Sequence, residues 1–315
     1  YDSALNSRQK GIMLREFAAI GLSRYTGQRA ASELIGRLFG QDRLKGHIYL
    51  KNQEPWAEIY YDMGPFQLVL RGRTIGNQYI NVSQALPTLK EKRGIMLLDW
   101  DSRMTEEGEV LLIGQEGLSM EEVCLSPTEI YRYYRDPEVW QQDALYVSCY
   151  GLSIEGKILL PSYRTEEEQQ KIQQSESWRR EMMQKALEGD SSAMEAMEQE
   201  ENMIDLEIAE RMKNEDIYTI FDGFMYPAGP DQGMIDNTYT LLGDITGIEK
   251  LFNSFSEEWV YYLELSVLGQ ELRVLINPTD LVGEPAVGRR FQGKVKLYGR
   301  LDPARLILES SDHFF

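Results

Sequence analysis

The sequence predicts an α+β protein in three parts. An N-terminal α+β domain is expected over 13–161, a helical hairpin arm over 162–222, and a small OB-like β-barrel over 238–308. Three observations support this reading. Apolar residues recur with a period of two in several runs on both sides of the chain's middle, as half-buried strands require. Between them, Thr165 to Lys213 is nearly unbroken helix-former sequence. Strands and helices do not alternate as βαβ units, so a doubly wound sheet is not expected.

The first helix is expected after Thr26 as its cap, with Ala30, Ala31, Leu34, Ile35, Leu38 and Phe39 at helical spacing and Gly40 as the stop. A hairpin follows over Trp56 to Gly72. Ala57, Ile59, Tyr61 and Met63 share one face of its first strand, Gly64-Pro65 turns the chain, and Phe66, Leu68 and Leu70 line the return. Further strands are read at Gln78 to Val82, Gly94 to Trp100, Val110 to Ile113 and Tyr146 to Leu160. Pro127 to Gln142 reads as an aromatic helix broken or kinked at Pro137.

The arm carries two capping boxes, Thr165-x-x-Glu168 and Ser192-x-x-Glu195, separated by a turn at Gly189-Asp190. From Arg164 to Asp216 it holds 16 acidic and 7 basic residues, a net of −9. A solvated face explains most of that charge. Its methionines suit either a core or a partner-docking surface.

Phe221 to Asn237 reads as a linker. Tyr239 to Ile248, Trp259 to Leu268 and Leu272 to Ile276 then follow as a meander, with Trp259, Tyr261, Leu263, Leu265 and Val267 expected on the core face of the second strand. The last strand has the sharpest pattern. Phe291, Gly293, Val295, Leu297, Gly299 and Leu301 alternate with Arg290, Gln292, Lys294, Lys296, Tyr298 and Arg300. A closed barrel is the reading taken for this unit; a plain antiparallel sheet capped by the arm is its competitor.

Composition restricts function. With 33 basic and 51 acidic residues, the net charge of −18 repels polyanions and anionic membranes, so any such contact needs a segregated patch. No apolar run reaches the length of a membrane helix, and two cysteines in apolar surroundings, Cys124 and Cys149, read as buried thiols rather than a disulfide. A cytoplasmic protein is expected, with Met13 as the native start and the preceding residues upstream of it.

P-loop, dinucleotide-glycine, zinc-protease and serine-elbow signatures do not occur. Only His47 and His313 supply imidazole, and a lone histidine is ordinarily structural. Asp99 and Asp101, two apart on a strand, share a face and would suit a metal-dependent enzyme; they equally suit a strand leaving its sheet for a polar loop. Arg290, Lys294, Lys296 and Arg300 would contact phosphates, and Tyr298 would stack on a base. Edge protection, or ion pairing with neighbours such as Glu264, explains the same face.

Gly151-Leu-Ser-Ile-Glu-Gly-Lys-Ile-Leu-Leu-Pro161, Glu215-Asp-Ile-Tyr-Thr-Ile, Leu242-Gly-Asp-Ile-Thr and Asp280-Leu-Val-Gly-Glu-Pro-Ala-Val-Gly-Arg-Arg-Phe-Gln-Gly293 together carry a resemblance. So does the opening Phe17-Ala-Ala-Ile-Gly21. They resemble domain of unknown function 3881, a family of anaerobic Gram-positive bacteria, best from Gly151 onward. The resemblance implies no activity, cofactor or catalytic residue. The expectation is a non-catalytic binding or scaffold protein with a protein partner and no cofactor. Nucleic-acid or polyanion binding through the basic face is the first alternative, and an enzyme using Asp99 and Asp101 the second.

Overall fold

A computed structural model describes residues 14–39, 45–76, 79–90, 93–105, 109–117, 122–135, 144–160, 166–187, 189–211, 223–228 and 236–301. Among these the protein is mainly β. Two short 3-10 turns lead into α1 (Gln28–Phe39), followed by β1 (Lys45–Lys51), β2 (Glu54–Met63), β3 (Phe66–Ile75) and β4 (Tyr79–Leu89). These four strands form an antiparallel sheet in sequence order. The expected hairpin is present as β2 and β3, with Gly64 at φ 79° in the turn between them. Thr26 does not cap α1; its hydroxyl donates to the Ser23 carbonyl at 3.2 Å, and the helix begins two residues later.

A larger mixed sheet begins with β5 (Ile95–Met104), β6 (Val110–Glu116) and β7 (Glu122–Pro127). The aromatic helix is a single short piece among the described residues, α2 (Tyr131–Arg135), and Pro137 lies outside them. β8 (Ala144–Leu159) runs up to the arm, α3 (Glu166–Leu187) and α4 (Ser191–Arg211). Asp190, rather than Ser192, caps α4, accepting from the Ser192 amide at 2.9 Å and its hydroxyl at 2.7 Å. Thr165 lies outside the described residues.

The expected linker contains a short strand, β9 (Phe224–Pro227), which pairs with the start of β10 (Thr238–Asn253). Next come β11 (Glu258–Val267), β12 (Gln270–Ile276), β13 (Leu281–Val282) and β14 (Arg290–Leu301). Asn277 caps the 3-10 turn after β12 through the Thr279 amide.

The sheet nearly closes into a ring. β10 pairs with β11, β11 with β12, β12 in parallel with β8, β8 with β14, and β14 back with β10. The C-terminal unit is therefore not assembled from residues 238–308 alone. β8, drawn from the other side of the arm, lies between β12 and β14, because neither of those strands has its other edge partner within the C-terminal segment. A bulge at Ile245/Gly247 lets β10 bend, so its first half serves β14 and its second half β11. On the inner face Phe291 packs over the facing Gly156 and Gly293, where any Cβ would collide with its ring.

Two large buried clusters result. One fills the ring with Leu241, Leu263, Leu265, Val274, Ile276, Phe291, Val295 and Leu297. The other lies on the ring's outer face, where Tyr150, Leu152, Val260, Tyr262, Leu275 and Tyr298 meet Phe17, Ile20 and Leu22 of the N-terminal segment and Tyr61, Leu68 and Leu70 of the smaller sheet. The alternation along β14 thus has a cover on both faces.

Candidate functional site

The residues expected to bind a polyanion follow one another along β14 but occupy different environments. Arg290 is buried, and its Nε donates to the Leu160 carbonyl at 3.1 Å. Lys294 is half-buried beside a groove of about 310 Å³, shared with Glu155, Lys157, Thr240, Val282 and Gln292. Lys296 turns under the N-terminal segment and meets the buried Glu16 at 3.4 Å. Burial opposes its charge, but Glu16, with Glu109 and Asp236 behind it, holds the ammonium above its ordinary range. Tyr298 is buried and stacks on Tyr150, with ring centroids 6.2 Å apart and a 17° angle between planes. Its hydroxyl faces Glu16 at 3.5 Å, and burial first, then that carboxylate, raises its pKa far above the phenol range. Arg300 is 3.9 Å from Glu129, whose own pKa burial raises against the pull of Arg132 and Arg300.

Tyr298 therefore has no open ring face for a base, and two of the four cations face carboxylates of this same chain. Those carboxylates are Glu16 and Glu129. Glu264, the neighbour expected to pair with the strand, instead binds Arg93 at 2.9 Å. Glu16 has a signal in the sequence: it opens the apolar run Phe17 to Leu22, where a carboxylate needs a buried partner. Its partner lies 280 residues away and leaves no local trace.

A second buried charge system joins the smaller sheet to the larger one. Glu58, fully buried, accepts from Arg71 Nε at 2.8 Å, Tyr60 at 2.8 Å, and the Ile130 and Tyr131 amides at 3.0 and 3.2 Å. Arg71 also donates to Gln84 at 2.9 Å and to the Pro127 carbonyl at 3.0 Å. His47 stacks on Tyr131 at 3.9 Å beside this system, in a structural position.

Asp99 and Asp101 are exposed on β5. The register breaks between Leu98 and Asp101, and Asp99 has φ 45°, so the simple same-face alternation does not hold there. Asp101 accepts from the Ser102 amide at 2.7 Å. Among the described residues no group of three or more His, Cys, Asp or Glu side chains is placed to hold a metal ion.

The arm is a different kind of surface. Met183 and Ala193 are buried, and Ser175 on α3 donates to Glu200 on α4 at 2.9 Å. Yet Met194, Met203 and Leu206 face solvent, the last two 66% and 72% exposed. Among the described residues, the main packing partner of each arm helix is the other.

The span containing β7, β8, the arm and the ring strands, residues 123–299, matches the family model described as a domain of unknown function with an E. rectale gene description, DUF3881. The chain belongs to the DUF3881 family. The DUF3881 match covers more than half of the chain and agrees with the resemblance carried by Gly151 onward. It begins after β1 to β6 and ends within β14, just before Arg300. No curated protein and no solved structure matches the chain. No helix among the described residues is long and apolar enough to cross a membrane.

Proposed function

We propose that this DUF3881 protein is a non-catalytic binding or scaffold protein, working in the cytoplasm, whose helical arm presents the surface for a protein partner. The observation that carries this reading is the exposure of Met194, Met203 and Leu206 on a helix that packs mainly on its own hairpin mate. Methionine and leucine on an open helical face adapt to a partner's side chains, and leaving them in water has a cost that docking removes. The acidic character of the arm favours a partner of opposite charge and disfavours self-association. Two buried, unpaired thiols are in keeping with a reducing compartment.

The ring supports the scaffold reading. We read it as an OB-like barrel in permuted order. β10, β11 and β12 take the opening meander, β14 the fourth position, and β8, earlier in the chain, the closing strand. The outer face of β11 and β12, which OB modules use for oligonucleotides and oligosaccharides, is filled here by the N-terminal segment and the smaller sheet. Polyanion binding retains one observation in its favour, the groove beside Lys294 and Lys157.

The test is quantitative co-purification from the source cells with wild-type protein and with Met203→Glu/Leu206→Glu. A partner retained by wild type and reduced at least about tenfold by the double variant, with the fold intact by circular dichroism, supports the proposal. Equal recovery by both proteins removes it.

A further inference from the structure

The β10–β11 hairpin runs past the end of the ring and leaves an aromatic surface open to solvent. Trp259, expected in the core, is 55% exposed, and Phe252, its cross-strand partner, is 38% exposed. Their centroids are 4.9 Å apart at a 46° tilt. The next pair on the same face is Lys250 and Tyr261, with the ammonium 5.2 Å from the ring centre. Lys250, Trp259, Val260 and Pro278 line a cavity of about 260 Å³ at this end. Leu263 and Leu265, further along the Trp259 face, enter the ring core; Trp259 and Phe252 lie beyond it.

We propose that this surface is a binding site for a neutral carbohydrate, with Trp259 as the stacking platform. The chemistry of the patch selects among ligands. A polyanion needs several cations, and this face offers Lys250 on a chain of net charge −18. A cationic ligand would meet Lys250, which already lies over Tyr261. A purely apolar partner would bury the Lys250 ammonium without an acceptor. A pyranose combines flat C–H faces, which stack on an indole, with hydroxyl edges that accept from and donate to a polar rim. Lys250 supplies donors at one edge of the cavity. The exposed Thr279 follows the cavity-lining Pro278 in the chain, and its hydroxyl donates to Asn277 at 2.8 Å. A proline-rich peptide also stacks on aromatics, but its backbone brings mainly acceptors, whereas sugar hydroxyls can also accept from the Lys250 ammonium beside the apolar platform.

The experiment titrates wild-type protein with cellotetraose, chitotetraose and maltotetraose, using calorimetry and saturation-transfer NMR. A proline decapeptide and a thymidine decanucleotide are run alongside. The expected result is saturable binding of at least one sugar with a Kd of about 1 mM or tighter. Trp259→Ala should weaken it at least about tenfold, Lys250→Ala by several-fold, and Trp259→Phe less than Trp259→Ala. Unchanged melting curves would show that the variants remain folded. The proposal is overturned if no sugar binds in that range, if Trp259→Ala binds as well as wild type, or if only the peptide or the oligonucleotide binds. None of these outcomes depends on the arm, so they stand apart from the co-purification result.

Discussion

The basic strand β14 and the acidic helix α4 carry opposite charge, and the structure uses their side chains in opposite ways. On β14, Lys296 and Arg300 face Glu16 and Glu129, and Tyr298 is enclosed against Tyr150. On α4 Glu195, Glu198, Gln199, Glu201 and Asn202 are solvated, while Met194, Met203 and Leu206 have no comparable cover. A conspicuous charge pattern can thus be internal cement, and the groups available to a partner can be the apolar ones that a helical sequence pattern assigns to a core. The difference comes from neighbours: β14 lies between β8 and β10 beneath the N-terminal segment, whereas each arm helix packs mainly on the other.

Buried charge within the body should be costly to disturb. Glu58→Gln leaves the Arg71 guanidinium buried without its counter-charge, and should lower unfolding free energy by about 3–5 kcal/mol in urea titrations. A smaller loss is expected for Lys296→Met, about 1–3 kcal/mol, because this side chain retains 31% exposure. Adding Glu16→Gln to Lys296→Met should recover part of that loss. Additive losses in the double variant would show that the two side chains do not support each other.

Alkali probes the same body as a whole. Burial pushes Cys124, Cys149 and Tyr61 up to about 12, and raises Tyr239 and Tyr298 as well. Each of these groups holds its proton more tightly when folded than in the unfolded chain. Their contribution is therefore intact below the ordinary thiol value of 9.0 and declines as pH rises toward the folded values. Lys296, also raised, loses its share above its ordinary 10.5. Melting temperature should be insensitive to these groups at neutral pH and fall steadily above about pH 9. A melting temperature that stays flat to pH 11 would contradict the burial described.

Much of this architecture was legible in local pattern. The β2–β3 hairpin followed from alternation around Gly64-Pro65, and the arm from helix formers on either side of Gly189-Asp190. The alternation of β14 correctly identified its inner face. Its outer face was not legible as covered, because Glu16 and the apolar residues after it arrive from the opposite end of the chain. Strand β9 was hidden by Pro227 and the turn residues after it, since its pairing is supplied by β10. Trp259 fitted the core alternation of β11, but that pattern does not reveal where a hairpin outruns the core it serves. For Asp99 and Asp101, a bulge replaced the regular alternation on which a shared carboxylate face depends.

The contrast between strand and arm can be tested by placing a photo-crosslinking amino acid at position 206 on α4 or at position 294 on β14 and illuminating living cells. The account predicts a discrete protein adduct from position 206 that Met203→Glu suppresses, and none from position 294. An adduct at 294, whether to nucleic acid or protein, with position 206 silent, would contradict it.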